Sequence, residues 1–298
     1  MAADPNLAIR LLAENYTTEV TPTAAVKIAS FAEALPSGTQ IYITFLPGSD
    51  YLATIALAKR LRTEGFEPVP HFAARSISNK HMFNDFLARA RGEADVTKVL
   101  AIAGAPDKPS GAYSDTMQLL ATGLFERHGI QSVSVAGHPE GCGCDTTKVL
   151  IDALKWKANY AKQSGLDMRI ITQFCFEPEP IIAYDRMLRS EGIELPMQVG
   201  LAGIASLKTL IGYAATCGVG NSINFLKRQA ANVTRLLKPE APDRIIRSLA
   251  EYRASEPDSR IAGFHYFPLG GLLKTTVWAN SVAQGRFTLN EAGGFSVT

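Results

Sequence analysis

Two hydrophobic rhythms alternate along this chain. Short runs rich in β-branched and aromatic residues predict strands at Tyr16 to Thr21, Ile41 to Phe45, Pro68 to Phe72 and Val96 to Ala103. Four more fall at Val133 to Ala136, Arg169 to Phe174, Met197 to Leu201 and Ile261 to Phe267. Between them apolar residues recur at helical spacing, as in Tyr51-Leu52 through Leu57 and Leu61, or Thr147 through Leu150, Leu154 and Ala158. Ile181-Ile182 through Met187-Leu188 shows the same spacing. Strand candidates alternating with helices predict an α/β fold, a closed parallel (βα)8 TIM barrel over residues 1–298 as a single domain. An open doubly wound sheet can also be drawn through the first five units. The chain exceeds the typical barrel of about 250 residues. A helix before the first strand, Pro5 to Asn15, and an insertion before the last, Ser222 to Glu256, account for the surplus. The insertion is expected to hold two helices, the second started by Pro242-Asp243. The Gly-rich tail, Gly285 to Thr298, is expected to be poorly ordered.

Composition changes this picture mainly by exclusion. With 46% hydrophobic and 19% charged residues the chain can bury a substantial core. Thirty Lys and Arg against 28 Asp and Glu leave a formal charge of +2, too little to build a basic field for nucleic acid or an anionic membrane. The start, MAADPNLAIRLLAENY, has early acids and a Pro but no apolar h-region, so no secretory signal is expected. No uncharged apolar run is long enough for a bilayer. Four Cys do not make a disulfide framework in a chain of this length. These features predict a soluble, cytoplasmic protein.

A barrel of this kind presents its reactive groups at the C-terminal ends of its strands. Polar residues there are Glu19, Thr44, His71, the Gly104-Ala105-Pro106-Asp107 run, His138-Pro139-Glu140 and Gln173. By residue type alone each has a plainer use. Glu19 serves equally as a rim carboxylate in water, His71 as a core histidine, and Gln173 as a hydrogen-bonding partner of a neighbouring strand. Lys157 in ALKWK would ordinarily be a solvated helix cation. Cys142-Gly143-Cys144 lacks a second ligand pair at zinc spacing, and Cys175 and Cys217 do not supply one, so no metal site is expected. The chain has no P-loop and no G-x-S-x-G elbow, and Gly218-Val219-Gly220 is not a dinucleotide fingerprint. Any cofactor must therefore be held by barrel loops.

The order of these residues resembles the methylenetetrahydrofolate reductase family. ALKWK followed by RIITQFCFEPEPIIAYDRMLRSEGIELPMQVGLAGIASLK is similar to that family's LK-x-K, ITQ-F-x-F-D and PGI-x-P-x-x-x-x-K run. A Glu followed by x-x-Pro in the first strand, PHF at His71, HPEG at Glu140 and GFHYFPL near the last strand extend the likeness from about Tyr16 to Ala283. The resemblance implies a short bacterial-type enzyme, one FAD-binding catalytic barrel without the regulatory domain that eukaryotic members append. It would interconvert methylenetetrahydrofolate and 5-methyltetrahydrofolate by ping-pong hydride transfer through FAD, with NADH or NADPH as co-substrate, in the one-carbon supply to methionine biosynthesis. Glu19 matches the proton donor to the folate amine, a role that needs a low-dielectric surrounding. Gln173 matches a residue that touches folate and nicotinamide in turn, and Tyr213 an aromatic that stacks on folate. Thr44, His71, Gly104, Ala105, Tyr113, Ser114, His138, Trp156 and Lys157 match FAD contacts, the lysine near the diphosphate. A homo-oligomer is implied by the likeness alone.

The departures bear on the chemistry. Where the family has R-G-D after the fourth strand, this chain has Ala103-Gly104-Ala105, with Asp107 two residues on. The Arg that follows the family's last-strand segment is replaced by Gly271, with Lys274 a turn away. The ribose-binding Asp aligns near Leu150 or Ile151, with Asp152 as its nearest substitute. Removing a carboxylate from the flavin is expected to raise the flavin potential and favour oxidation of methyltetrahydrofolate. Two other readings stand beside this one. One is a flavin-free, folate-dependent methyltransferase barrel with a functional thiol or metal. The other is a non-catalytic flavoprotein subunit of a partner reductase.

Overall fold

The structure, a computed structural model, describes residues 4–142, 145–216, 226 and 236–298. Cys144, Cys217, the Gly218-Val219-Gly220 tripeptide and nearly all of the first helix expected in the insertion lie outside the described residues. Eight parallel strands close a barrel: β1 (Thr17–Val20), β2 (Gln40–Ile43), β3 (Glu67–Ala73), β4 (Lys98–Ile102), β5 (Ser132–Gly137), β6 (Asp167–Thr172), β7 (Met197–Ala202) and β8 (Ile261–Phe267). Their order around the barrel is β1-β8-β7-β6-β5-β4-β3-β2, so the open-sheet alternative falls away. Every strand coincides with one of the β-branched runs, because only such runs supply alternating side chains for an inner layer and a helix-facing layer. The extra helices are present as Pro5–Ala13 before β1 and Asp243–Ser255 before β8.

Backbone packing groups the chain into two compact units. One comprises Thr17–Ala136 with Ala153–Ile170. In it the register sets Glu19 beside Tyr42, Tyr42 beside Val69, and His71 beside Leu100 and then Ser134. Register partners in a parallel sheet share a face, so these side chains form one layer and their sequence neighbours form the other. Tyr42 and Ser134, on non-adjacent strands, meet through a 2.8 Å hydrogen bond, which fixes that layer as the inner one. Phe72, the neighbour of His71, faces outward and packs on Phe86 and Phe125 at centroid distances of 4.2 and 5.7 Å. Fully burying such a ring contributes about 1.5–3 kcal/mol. The helices over this layer start where side chains cap them. Asp50 accepts from the Leu52 amide, and Asn79 from that of Met82.

The other unit comprises Met1–Tyr16, Gly137–Asp152 and Ile171–Thr298. The helix Pro5–Ala13 packs here against Asp243–Ser255 and Leu272–Ala283. Asp185, fully buried on the helix Pro178–Ser190, accepts from the Tyr252 hydroxyl at 2.7 Å and from the Arg260 amide at 2.7 Å, tying that helix to the entry of β8. The tail corrects the expectation of poor order. Phe287–Leu289 and Phe295–Val297 pair as an antiparallel hairpin. The Asn290 side chain accepts from the Ala292 and Gly294 amides to set the turn, and Asp243 accepts from the Phe295 amide. Phe295 stacks on Trp278 with centroids 5.8 Å apart. The glycines here serve a turn between two anchored strands. Among the described residues no helix is long and apolar enough to cross a membrane.

Candidate functional site

Glu19 and eight of the FAD-matching residues, Thr44, His71, Gly104, Ala105, Tyr113, Ser114, Trp156 and Lys157, fall in the first unit. Glu19 is half-buried on the inner face, flanked by the fully buried Thr18 and by Tyr42 across the register. Thr44 directly follows β2, its amide donating to the Val20 carbonyl at 3.1 Å. Its Oγ1 is buried without a hydrogen-bond partner. A buried hydroxyl left unpaired costs about 1–3 kcal/mol, which a bound polar group would recover. His71 is buried at the C-terminal end of β3, its ring edge-on to Tyr42 with centroids 6.1 Å apart.

The loop after β4 is held against the end of β3. Gly104 has a φ of +94°, and a Cβ there would lie 3.2 Å from that of Ala73, so backbone alone fits. Gly111 lies closer still, since an added Cβ would fall 1.9 Å from the Ser78 carbonyl oxygen. Ala105 and Asp107 are exposed on the outer turn of this loop, and no cation pairs with Asp107 among the described residues. Tyr113 is half-buried, edge-on to Phe83 at 6.1 Å. The Ser114 amide donates to Gln118 Oε1 at 2.6 Å, and Asp115 caps the helix Thr116–Leu120.

Lys157 overturns the expectation of a solvated cation. It is 9% exposed on the helix Thr147–Ser164, and no carboxylate bonds it among the described residues. Burial pulls its ammonium down from 10.5 to about 8, and the Asp115 carboxylate offsets only part of that. Trp156 beside it is 38% exposed and stacks on Tyr160 at 5.2 Å. The sequence did carry a signal: Lys157 follows Leu154 and precedes Ala161 by about one turn each, on the flank of the apolar stripe.

His138, Gln173 and Tyr213 belong to the other unit. Gln173 lies one residue beyond β6, its amide donating to the Gly137 carbonyl at 2.8 Å. Its Oε1 accepts from the Phe174 amide at 3.3 Å, which leaves Nε2 without a partner among the described residues. His138 is half-buried after β5, and its carbonyl accepts from the Gly141 amide at 3.0 Å. Tyr213 is 44% exposed on the flank of the helix Leu207–Thr216, whose Leu207, Leu210 and Ala214 pack on Phe174. The same unit holds a cavity of about 240 Å³, lined among others by Phe176, Ala202, Leu210, Glu240, Asp243 and Arg244, and none of His138, Gln173 and Tyr213 lines it.

The other two substitutes are Asp152 and Lys274. Asp152 is exposed and paired with Lys148 at 2.6 Å. Gly271, with φ +111°, begins the helix Leu272–Ala283, and Lys274 is exposed on its first turn. Cys175 is free and 2% exposed, and burial together with the neighbouring Glu140 carboxylate pushes its thiol well above the ordinary value. Such a thiol is not a nucleophile at neutral pH. Cys142 is disulfide-bonded. Among the described residues no group of three or more His, Cys, Asp or Glu is placed to hold a metal ion.

No protein-family profile matches the chain. A chitinase from Rhizomucor miehei resembles it in structure at 10% identity and a TM-score of 0.48, over 91% of this chain and 100% of the chitinase.

Proposed function

We propose that this protein is a flavin-dependent methylenetetrahydrofolate reductase, a cytoplasmic enzyme that interconverts methylenetetrahydrofolate and 5-methyltetrahydrofolate with NADH or NADPH as the other substrate. The observation that carries the reading is the first unit's set of unspent groups. Among the described residues Thr44 Oγ1 is buried without a partner, and Lys157 is a buried cation that no carboxylate bonds, while Gly104 lets the loop after β4 pack closely on Ala73. The hydroxyl and the charge suit the polar ring edge and the diphosphate of FAD. Thr44, His71, Gly104 and Ala105 would meet the ring end, and Tyr113, Ser114, Trp156 and Lys157 the nucleotide end. When bound, the flavin supplies a two-electron carrier between nicotinamide and folate.

The protein's own residues would then bind and move protons. Glu19, half-buried among Thr18 and Tyr42, would deliver a proton to the folate amine that leaves when the five-membered ring opens. Gln173 Nε2, which has no partner among the described residues, would donate to whichever substrate is bound. The methyltransferase alternative is disfavoured by Cys175, whose thiol stays protonated. Glu19→Gln tests the assignment through the two half-reactions. Folate turnover should fall by roughly 10²–10⁴-fold, the usual worth of a positioned acid, while reduction by the nicotinamide survives. Equal loss of both would assign Glu19 a structural role.

A further inference from the structure

The segment that follows β3 carries an arginine with more hydrogen-bonding capacity than the protein uses. Arg75 lies in the short 3₁₀ turn Ala74–Ser76. Its amide donates to the Ala103 carbonyl at 2.9 Å, and its carbonyl accepts from the Ser110 amide at 2.8 Å. Its Nε donates to the Ser114 carbonyl at 2.9 Å and its Nη1 to the Pro106 carbonyl at 3.3 Å. The side chain thus spans the loop after β4 from one end to the other. A guanidinium has five N–H donors, so two are spent and three are left without a partner among the described residues. No carboxylate neutralises it there either, although most arginines of this chain sit in ion pairs, such as Arg60 with Glu64 or Arg62 with Glu67.

A second cation converges on the same place. Ser114, which accepts from Arg75, is followed by Asp115, the carboxylate whose field acts on the buried Lys157. Two cations, neither of them ion-paired among the described residues and one of them 9% exposed, thus share a loop end that carries a single acid, Asp115. Two like charges against one counter-charge leave an excess that a bound anion would balance. The loop is also the one in which this chain has Ala103 where the resembling family carries arginine.

We infer that Arg75, at the end of the third strand, holds a phosphate group of the bound cofactor through its unspent guanidinium donors. The inference rests on the flavin reading only for the identity of the cofactor. The planar fork suits two phosphate oxygens at once, which a lysine does not.

Calorimetric titration of wild type, Arg75→Gln and Arg75→Lys with FAD, ADP and riboflavin tests it, each variant first checked by thermal melting. Riboflavin has the ring but no phosphate, and ADP has the diphosphate but no ring. Arg75→Gln should weaken FAD and ADP by roughly ten- to hundred-fold, the worth of a hydrogen bond to a charged group, and leave riboflavin within about two-fold. Arg75→Lys keeps the charge without the fork and should fall between. It also carries the test if the Gln variant does not fold. Unchanged FAD affinity, or equal loss of FAD and riboflavin, would make Arg75 a loop strut and overturn the inference while leaving the flavin reading intact. Arg75-dependent binding of ADP without binding of either flavin would uphold the inference and sink the flavin reading. A wild-type protein that binds none of the three would overturn both.

Discussion

At the scale of single residues the account depends on groups whose surroundings leave them unspent. Lys157 is the clearest, a buried ammonium drawn down to about 8 by desolvation. Because its value in the folded protein lies below that of the unfolded chain, folding carries the penalty in full below about pH 8. The penalty fades as pH rises towards 10.5, where the unfolded chain also loses its proton. Lys157→Met should therefore stabilise the cofactor-free protein at pH 7, by no more than roughly 3 kcal/mol, with a gain that shrinks above pH 8. Denaturant melts at pH 7 and pH 10 measure this. Affinity for FAD should show the opposite face of the same proton. It should be level below pH 8, fall above it in wild type, and be weak without that step in Lys157→Met. A pH-independent wild-type affinity would remove Lys157 from the diphosphate site. Lys157 and Arg75 also show which part of the candidate site was legible in the sequence and which was not. Lys157 lies on the flank of an apolar stripe that local spacing reveals, whereas Arg75 gains its meaning only when a loop 30 to 40 positions later folds onto it.

At the scale of elements the strands were legible and the loops were not. β8 runs over Ile261–Phe267 as its aromatic run predicts, because alternation at period two is a local signal. The tail misleads because glycine content hides two phenylalanines spaced for a hairpin and the Asn290 side chain that sets its turn. Phe295 is 4% exposed between Trp278 and Phe287. Phe295→Ala should lower stability by about 3–5 kcal/mol, read from urea unfolding followed by tryptophan fluorescence. A loss below about 1 kcal/mol would return the tail to the poorly ordered segment that its composition suggests. The β4 loop makes the complementary case. Gly111→Ala places a methyl group against the Ser78 carbonyl, so it should displace the loop and reduce flavin affinity more than stability.

At the scale of the whole molecule, barrel closure was predictable from the count and spacing of strand signals, whereas chemistry was reached through resemblance. A (βα)8 barrel by itself specifies no reaction. What narrows the choice is the set of groups at the strand ends, including the residues that depart from the resembling family. Ala105 is exposed on the loop where that family carries a carboxylate. Ala105→Asp should lower the midpoint potential of the bound flavin and slow oxidation of methyltetrahydrofolate relative to the opposite direction. A potential equal to or above that of wild type would remove the argument for an enzyme poised towards oxidation. The central claim is tested most directly by an anaerobic visible spectrum of the FAD-reconstituted protein before and after addition of 5-methyltetrahydrofolate. The account predicts an oxidised-flavin band that bleaches within the mixing and turnover time. A band that persists in the presence of 5-methyltetrahydrofolate, or a protein that takes up no flavin, would contradict it.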